Sequence, residues 1–540
     1  MQEHTFSTAY EPYEPLPDRI AARLAPRRIK IVLSVGLAAL LAVAIFFRRK
    51  EPILVATMVP MCTNGFPTDF IWGLGTAAYQ IEGGANMYGR EPSIWDDFSH
   101  TPGKVRNGDT GDTACDHVHR MREDVGLMRA IGLEHYRFSI SWSRVMSWDA
   151  ATSQMKPNEL GLQFYDELLD ALAAAGIKPY VTLYHWDLPS ALHKHKGGWH
   201  TPNNQGIIDE FVRYADLIWS RYAHRVAFWV TFNEPWTFTV EGYDAGNMAP
   251  GCVPFQAGPE PCANGDVNVY VVAHNVLNAH AAAAERFHNA YQPKHGGVLS
   301  ITLNCEMSLP KDGGSAADAA AAERAMQFSL GWWLQPILTG EYPAVMRQNV
   351  GSRLPHFTKE ESARLIGSID VLALNHYSTH LVTDLSDRPR VRTGDGSWAD
   401  DQQLSITFGV DWIPSESPWL HMYAPGLRGL LGWATAPSRW RGAVYVTENG
   451  WSARSMTAEE AAHDQVHVAY LSQYTEQLRL ALVEDGVDDR GYFGWSLMDN
   501  YEWADGYSKR FGLYFVDYAT QQRTPKAAAL WWNATRRCIV

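Results

Sequence analysis

From about residue 65 onward, short apolar runs alternate regularly with longer amphipathic stretches. The short runs are rich in β-branched and aromatic residues and predict strands at residues 70–79, 134–141, 179–185, 226–232, 298–303, 371–377, 443–447 and 491–497. Helical periodicity occurs between them at residues 117–131, 160–175, 207–222, 267–291, 316–338 and 464–484. This alternation predicts an α/β protein, a single closed (β/α)8 TIM barrel with long βα loops. An open doubly wound sheet is the alternative.

The first 64 residues differ in pattern from the rest of the chain. Residues 1–28 are rich in Pro and Glu and predict a disordered tail. Ile31 to Phe47 is an uncharged run between basic residues, and as a helix it would rise about 25 Å, the lower limit for crossing a bilayer. We therefore expect a transmembrane signal-anchor helix at residues 29–50, a linker at 51–64 and the (β/α)8 barrel domain at 65–537.

The basic residues around this run bear on the side of the membrane that the barrel occupies. They are slightly denser before the run, at Arg27, Arg28 and Lys30, which favours a cytosolic tail and an extracellular or lumenal barrel. In the alternative, the run is a signal peptide and the barrel is secreted after cleavage, although the segment before it is long for that class.

Composition narrows the classes of function. The chain of 540 residues carries 46 Lys and Arg against 59 Asp and Glu, and this acidic balance argues against a nucleic-acid partner. Hydrophobic residues make up 46% and charged residues 19%, which excludes global disorder. The 21 Trp exceed what core packing needs, and they suit a surface that holds flat, half-apolar ligands.

Two local patterns agree with an exported barrel domain. Cys252 and Cys262 are close together in a Gly- and Pro-rich loop, where a disulfide would restrict the motion of the loop. The alternative is that the two cysteines are free thiols. Asn533 begins an Asn-Ala-Thr sequence, the pattern of an N-glycosylation acceptor. With 6 Cys in so long a chain, a disulfide-dense scaffold is excluded.

Two carboxylates follow predicted strands on opposite sides of the barrel, at the strand ends where such barrels carry their chemistry. Glu234 follows the fourth strand in TFNEP, and Glu448 follows the seventh strand in TENG. One protonated and one ionised carboxyl group can cleave an acetal C–O bond through an oxocarbenium-like transition state. A single Glu after a strand is usually a solvated loop residue, but two at opposed strand ends, each beside an Asn, favour a glycosidase.

Other predicted strand ends carry side chains that suit a sugar. Amides and carboxylates bind hydroxyl groups, and indoles pack against the apolar face of a pyranose ring. The candidate residues of this kind are Gln80, His185, Trp186, Asn375, Tyr377, Trp495, Glu502 and Trp503.

Taken together, these motifs resemble the signatures of family 1 glycoside hydrolases, the β-glucosidase family. The resemblance covers about residues 65–537, and its motifs stand in the order and spacing of the family, which makes it specific. The motifs are FIWGLGTAAYQIEG at 70–83, YHWDLP at 184–189, TFNEP at 231–235, TENG at 447–450 and WSLMDNYEW at 495–503.

The resemblance implies a retaining β-glucosidase that acts through a glycosyl-enzyme intermediate. It implies that Glu448 is the nucleophile, held by Tyr377 and Arg137, and that Glu234 is the general acid/base. It also implies that Asn233 binds the 2-hydroxyl group of the sugar. The residues implied to line the rest of the sugar site are Gln80, His185, Asn375, Trp495, Glu502 and Trp503.

Two positions narrow the substrate within this resemblance. Relatives that act on sulfur-linked glycosides have Gln in place of Glu234, and relatives that act on 6-phosphorylated sugars have Ser in place of Glu502. The resemblance therefore implies an oxygen-linked, unphosphorylated β-glucoside, with galactoside or fucoside activity as alternatives. Trp412 and Trp419 are candidate platforms for the aglycone. A transglycosylase and a catalytically silent binding barrel are the other readings of the chain.

Other patterns carry less weight. Residues 73–78 match half of a dinucleotide-binding fingerprint, but no helix is predicted to begin there. The pairs His117 and His119, and His193 and His195, are not expected to bind metal, because side chains two residues apart diverge on a helix and loop histidines are usually solvated; we expect His117 and His119 to cap or pack the first barrel helix. The expected partners are a β-glycoside and, through residues 29–50, a membrane, with no cofactor or metal; the oligomeric state is not predicted.

Overall fold

The computed structural model describes residues 65–254, 262, 268–388, 398–454 and 457–537. The predicted tail at 1–28, transmembrane helix at 29–50 and linker at 51–64 lie outside the described residues. Within the described part of the chain, no helix has both the length and the apolar character needed to cross a membrane.

The centre of the domain is a closed barrel of parallel strands. Its members are β1 Ile71–Gly75, β2 His135–Ser139, β3 Lys178–Tyr184, β4 Phe228–Asn233, β5 Val298–Asn304, β6 Leu372–Asn375, β7 Val444–Asn449 and β8 Asp489–Trp495. Each strand pairs with its neighbours in the chain, and β8 pairs with β1, so the sheet has no free edge. The predicted barrel is confirmed, and the alternative of an open doubly wound sheet is wrong.

Helices follow the strands and cover the outside of the barrel. The longer ones are α1 His117–Ala130, α2 Glu159–Ala175, α3 Gln205–Tyr222, α4 Pro235–Tyr243, α5 Val269–Ala290, α6 Ala316–Met326, α7 Trp332–Thr339, α8 Pro425–Ala434, α9 Gln465–Val483 and α10 Ala527–Arg537. Shorter helices lie in the loops at Ile94–Ser99, Ser190–Lys196, Ala344–Val350 and Lys359–Leu365. Because helices cover them, the strands are buried along almost their whole length.

The first strand is shorter than its apolar pattern predicts. The pattern extends to residue 79, but β1 ends at Gly75, and a helical turn forms at Ala78–Ile81. The Ser139 hydroxyl at the end of β2 accepts a hydrogen bond from the Ala78 amide at 2.7 Å, so this amide is no longer available to a strand partner. The turn places Gln80 at the carboxyl end of the barrel.

The stretch predicted as one helix at 316–338 is divided. α6 ends at Met326, a π-helical segment follows at Gln327–Gly331, and α7 contains Pro336. The π-helical segment interrupts the regular α-helical hydrogen bonding, and within α7 Pro336 has no amide hydrogen to donate to the carbonyl of Trp332 one turn earlier. The apolar periodicity is the same on both sides of the break and does not reveal it.

Many of the tryptophans belong to the core, contrary to the inference drawn from composition. The ones that are almost completely inaccessible to solvent are Trp95, Trp142, Trp199, Trp219, Trp229, Trp332, Trp333 and Trp532. A large barrel with two layers to fill uses indoles as packing volume. Only a few Trp side chains, considered below, lie at strand ends.

The two patterns expected of an exported domain have different outcomes. Cys252 and Cys262 form a disulfide, with Cα atoms 5.7 Å apart, so the alternative of two free thiols is wrong. Asn533 lies inside α10, where Thr535 is only 3% exposed. Glycosylation of Asn533 stays a prediction.

Candidate active site

The structure brings the predicted site residues together at the carboxyl end of the barrel. Asn233 is the last residue of β4, Asn375 of β6 and Trp495 of β8. The other members lie within the strands or in the loops that follow them. The set is Gln80, Arg137, His185, Trp186, Asn233, Glu234, Asn375, Tyr377, Glu448, Trp495, Glu502 and Trp503.

Glu448 lies near the end of β7 and is 3% exposed. Arg137 Nη1 is 2.5 Å from its Oε1, and the Tyr377 hydroxyl donates to its Oε2 at 2.8 Å. Through Nη2, Arg137 also donates to Asn233 Oδ1 at 2.7 Å. Each carboxylate oxygen of Glu448 therefore has a fixed partner, and a positive charge lies directly beside it.

Glu234 is the residue between β4 and α4, and it is 8% exposed. Asn375 Nδ2 donates to its Oε1 at 2.7 Å, and Thr237 Oγ1 donates to its Oε2 at 2.8 Å. Burial, and secondly the negative charge of Glu448, raise the pKa of Glu234 to about 8. At neutral pH Glu234 is therefore mainly protonated, which is the state that a general acid needs.

Three residues of the site have a left-handed backbone. The φ angles are 47° at Glu234, 73° at Trp186 and 52° at Trp503. Non-glycine residues seldom adopt this conformation, and the strain it carries concentrates at functional positions, where the surrounding structure holds it in place. The three side chains contact other members of the site: Glu234 accepts a hydrogen bond from Asn375, and Trp186 packs against Trp503.

Gln80 and His185 lie on one side of the site, and each has one paired and one unpaired polar atom among the described residues. Gln80 Nε2 lies 3.4 Å from Glu502 Oε2, and His185 Nε2 lies 3.1 Å from Asn233 Nδ2. The remaining Gln80 Oε1 and His185 Nδ1 are buried and find no hydrogen-bond partner among the described residues. Burial, and then the charge of Arg137, lower the pKa of His185, which is thus a neutral imidazole. Burial raises the pKa of Glu502.

The aromatic side chains of Trp186, Trp495 and Trp503 pack beside these polar groups and form an apolar wall of the site. The His185 ring is nearly parallel to both Trp495 and Trp503, with centroids 5.9 Å away in each case. Trp186 packs against Trp503 at 4.4 Å and donates from Nε1 to the Asn233 carbonyl at 2.8 Å. The site thus combines two carboxyl groups in different environments, one beside an arginine and one with a raised pKa, with the amides, imidazole and indoles that suit a sugar ring.

Comparison with known proteins agrees with this geometry. The model of glycosyl hydrolase family 1 matches residues 62–538 of the chain. The chain belongs to glycosyl hydrolase family 1. It is therefore a glycoside hydrolase, as the carboxylate pair indicates.

Relatives within family 1 match over nearly the same extent. The β-glucosidase 1B of Phanerodontia chrysosporium is 42% identical over 469 residues, which cover 86% of this chain and 84% of that protein. A rice β-glucosidase, solved in a covalent complex with glucose, has 38% identity, a TM-score of 0.82 and coverage of 87% and 98%. A β-glucosidase from the fungus Humicola insolens, solved with glucose, has 38% identity, a TM-score of 0.82 and coverage of 88% and 98%.

The glycine of the TENG motif has a steric reason in this family 1 site. Gly450 passes directly against the Trp495 carbonyl, and an added Cβ atom would collide with that oxygen. Any larger residue would separate the end of β7 from the end of β8. Glycine at this position therefore lets Glu448 and Trp495 share one site.

Sequence reasoning missed three residues that surround Glu234. Thr237 lies on the first turn of α4, and Asn304, the last residue of β5, donates to Thr237 Oγ1 at 2.9 Å. Burial, and to a smaller extent the charge of Glu234, raise the pKa of Glu306 to about 8, although the Ser378 amide donates to its carboxylate. The strand-end rule applied to β5 would have found Asn304 and Glu306, and helical spacing from Glu234 would have found Thr237.

The two candidate aglycone platforms have different surroundings. Trp419 is 44% exposed and packs edge-on against Tyr377, with ring centroids 5.6 Å apart, so it lies at the edge of the site. Trp412 stacks on Tyr423 at 4.5 Å. Trp419 is therefore the better placed of the two for an aglycone.

The first of the two histidine pairs, His117 and His119, has carboxylate partners. His117 is buried with Nδ1 2.7 Å from Asp124, and the exposed His119 has Nδ1 2.5 Å from Asp116. Within the described ranges, the group with metal-ligand atoms close together is His193, Cys252 and Cys262, whose candidate atoms lie within 4.8 Å of one another. Because the two cysteines are joined in a disulfide, they present no thiolate to a metal.

Proposed function

We propose that the chain is a retaining β-glucosidase that hydrolyses terminal non-reducing β-D-glucosyl residues of O-glycosides or cello-oligosaccharides. The observation that carries this proposal is the contrast between two buried carboxyl groups. Glu234 has a pKa raised to about 8, whereas Glu448 lies 2.5 Å from the guanidinium of Arg137. Double displacement requires one protonated and one charge-paired carboxyl group. The similar proteins named above are themselves β-glucosidases.

In the first half-reaction, Glu448 attacks the anomeric carbon while Glu234 protonates the departing glycosidic oxygen. The bond to the aglycone breaks, its electron pair takes the proton from Glu234, and an α-linked glycosyl ester forms on Glu448. Tyr377 and Arg137 contact separate oxygens of the nucleophile and hold it in one orientation. Asn233, whose Oδ1 accepts a hydrogen bond from Arg137, would bind the 2-hydroxyl group.

In the second half-reaction, water breaks the ester. Esterification removes the negative charge of Glu448, and the pKa of Glu234 falls because that charge is one of the causes that raise it. The ionised Glu234 accepts a proton from water, whose oxygen attacks the anomeric carbon. Glu448 leaves as a carboxylate, and the product keeps the β configuration.

The sugar-binding residues support an unphosphorylated glucose ring. Gln80 and Glu502 lie 3.4 Å apart and offer acceptors and donors to neighbouring hydroxyl groups. The acidic side chain of Glu502, whose pKa is raised by burial, offers no positive charge to a phosphate on the sugar, and protonated Glu234 suits an oxygen leaving group. The indoles of Trp495 and Trp503 provide the apolar wall.

Rescue by azide tests the two assignments separately. Glu448→Gly should be inactive on an aryl β-glucoside, and added azide should restore turnover with α-glucosyl azide as product. Glu234→Ala, assayed on a dinitrophenyl β-glucoside, should give β-glucosyl azide. The exposed Glu167→Gln serves as control and should retain activity. Azide products of the opposite configuration, or an active Glu448→Gly without azide, would contradict the assignment.

We also propose that residues 29–50 tether the barrel domain to a membrane, with the barrel on the extracellular or lumenal side. The uncharged run between basic clusters supports this proposal. The full chain should stay with the membrane pellet at alkaline pH, while a chain that begins at residue 51 should not. Release of the full chain into the supernatant would contradict the tether, and a shortened secreted product would indicate a cleaved signal peptide.

A further inference from the structure

A threonine one turn along α4 contacts the general acid/base directly. Thr237 is 8% exposed, and its hydroxyl donates to Glu234 Oε2 at 2.8 Å. Since Glu234 precedes α4 and Thr237 stands in its first turn, the short helical segment itself sets their spacing. The contact therefore restricts the rotation of the carboxyl group whose direction decides where a proton is given or taken.

Asn304 determines which way the Thr237 hydroxyl points. Asn304 Nδ2 donates to Thr237 Oγ1 at 2.9 Å, so the threonine oxygen already accepts one hydrogen bond. The hydroxyl hydrogen is then free to point at Glu234. The two hydrogen bonds thus link Asn304 at the end of β5 to Thr237 on α4, and Thr237 to the carboxyl group of Glu234 after β4.

These contacts favour one charge state of Glu234. Asn375 donates to Oε1 at 2.7 Å, so both oxygens accept hydrogen bonds, and such bonds stabilise a carboxylate over a carboxylic acid. Burial and the charge of Glu448 act in the opposite direction. The other charged or titratable groups that interact with Glu234 are Arg137, Glu306, Tyr377 and Glu502.

We propose that Thr237, with its hydroxyl directed by Asn304, is the positioning residue for Glu234 when Glu234 acts as the general base on the glycosyl-enzyme. Once Glu448 is esterified, its repulsion is gone, and the two donors hold an ionised carboxylate aimed at water. The first half-reaction depends less on Thr237, because there Glu234 must carry a proton. The proposal rests on the role of Glu234 proposed above.

The test separates the two half-reactions with 2,4-dinitrophenyl β-glucoside, whose leaving group needs no protonation. A burst of dinitrophenolate before the steady state identifies breakdown of the glycosyl-enzyme as the slow step, so kcat reports that step and kcat/KM reports its formation. Thr237→Val should lower kcat about tenfold and leave kcat/KM within about twofold, the loss expected for one hydrogen bond to a charged group. Azide, which needs no base, should restore kcat.

Matched variants exclude a general packing effect. Thr237→Ser keeps the hydroxyl and should restore kcat, while Asn304→Leu should lower it in the same direction as Thr237→Val. Thr239→Val is the control, because Thr239 is buried on the same helix and its hydroxyl has no hydrogen-bond partner within the described chain. Thr239→Val should leave kcat unchanged.

Several results would overturn the proposal. They are an unchanged kcat in Thr237→Val, an equal fall of kcat and kcat/KM, no response to azide, or a Thr237→Ser variant as impaired as Thr237→Val. Failure of the proposed function is distinguishable from these, because the unmodified enzyme would then release no glucose from any aryl β-glucoside. Circular dichroism of each variant checks that the barrel has folded.

Discussion

The raised pKa of Glu234 makes a thermodynamic prediction that is independent of catalysis. The folded protein holds the proton of Glu234 up to a pKa of about 8, while the ordinary value is 4.5. Well below pH 4.5 the side chain is protonated in both the folded and the unfolded state, and it does not affect stability. As the pH rises toward 8, the unfolded chain releases this proton and the folded chain does not, so the folded state loses stability over that range.

The magnitude follows from the two pKa values. Each tenfold difference in proton affinity corresponds to about 1.4 kcal/mol, so the rise from 4.5 to about 8 gives a loss of about 5 kcal/mol. Glu234→Gln removes the titrating group and with it this loss. The free energy of unfolding of Glu234→Gln, relative to the unmodified protein, should therefore increase by about 4 kcal/mol between pH 4.5 and pH 8, which are the midpoints of the two titrations, and by about 5 kcal/mol over the full range.

Urea unfolding followed by tryptophan fluorescence at several pH values measures this difference. The replaced hydrogen bonds of Glu234→Gln contribute an offset that does not vary with pH, and groups that do not interact with Glu234 titrate alike in both proteins and cancel. The exposed Glu167→Gln should show a flat difference from the unmodified protein. A flat difference for Glu234→Gln, or one that falls as the pH rises, would refute the reasoning that burial holds a proton on this side chain.

Four further results follow from the geometry. The kcat/KM for an alkyl β-glucoside should fall as the pH rises through about 8, where Glu234 loses its proton, and a pH–rate profile with a flat high-pH limb would contradict this. Tyr377→Phe removes a 2.8 Å hydrogen bond and should lower kcat about tenfold in aryl-glucoside assays, whereas an unchanged kcat would remove Tyr377 from the mechanism. Glu502→Ala should lower kcat/KM for glucosides about a hundredfold, because two hydrogen bonds to sugar hydroxyl groups would be lost. A fall in kcat/KM no larger than that of the exposed control Glu167→Gln would count against a role of Glu502 in sugar binding. Replacing Cys252 and Cys262 by Ser should lower the free energy of unfolding by about 3 kcal/mol, because a disulfide between cysteines 10 positions apart restricts the unfolded chain. Chemical denaturation measures this difference, and an unchanged free energy of unfolding would contradict it.

Much of the fold was predictable because it depends on periodic patterns. Each barrel strand was located from its apolar run, since a parallel sheet covered by helices needs nearly continuous apolar residues. The strand-end rule then located Glu234 and Glu448 without any structure. These features depend on the spacing of residues along the chain, which the sequence displays directly.

What the sequence did not reveal depends on contacts between distant segments. β1 ends at Gly75, and the Ala78 amide beyond it donates to the Ser139 hydroxyl on β2, a contact that no local pattern reveals. The many buried indoles were taken for a ligand surface because composition does not distinguish core from surface. The contact of Asn304 with Thr237 joins residues 67 positions apart, so neither motif predicts it alone.

A covalent label on Glu448 tests the central assignment most directly. Incubation of the full-length enzyme with a 2-deoxy-2-fluoro-β-glucoside that carries a good leaving group should stop turnover, because the fluorine slows breakdown of the ester more than departure of an activated aglycone. Mass spectrometry of peptides from the inactivated enzyme should place one fluoroglucosyl group on Glu448. A label on any other residue, or turnover that gives α-glucose as the first product, would contradict the account.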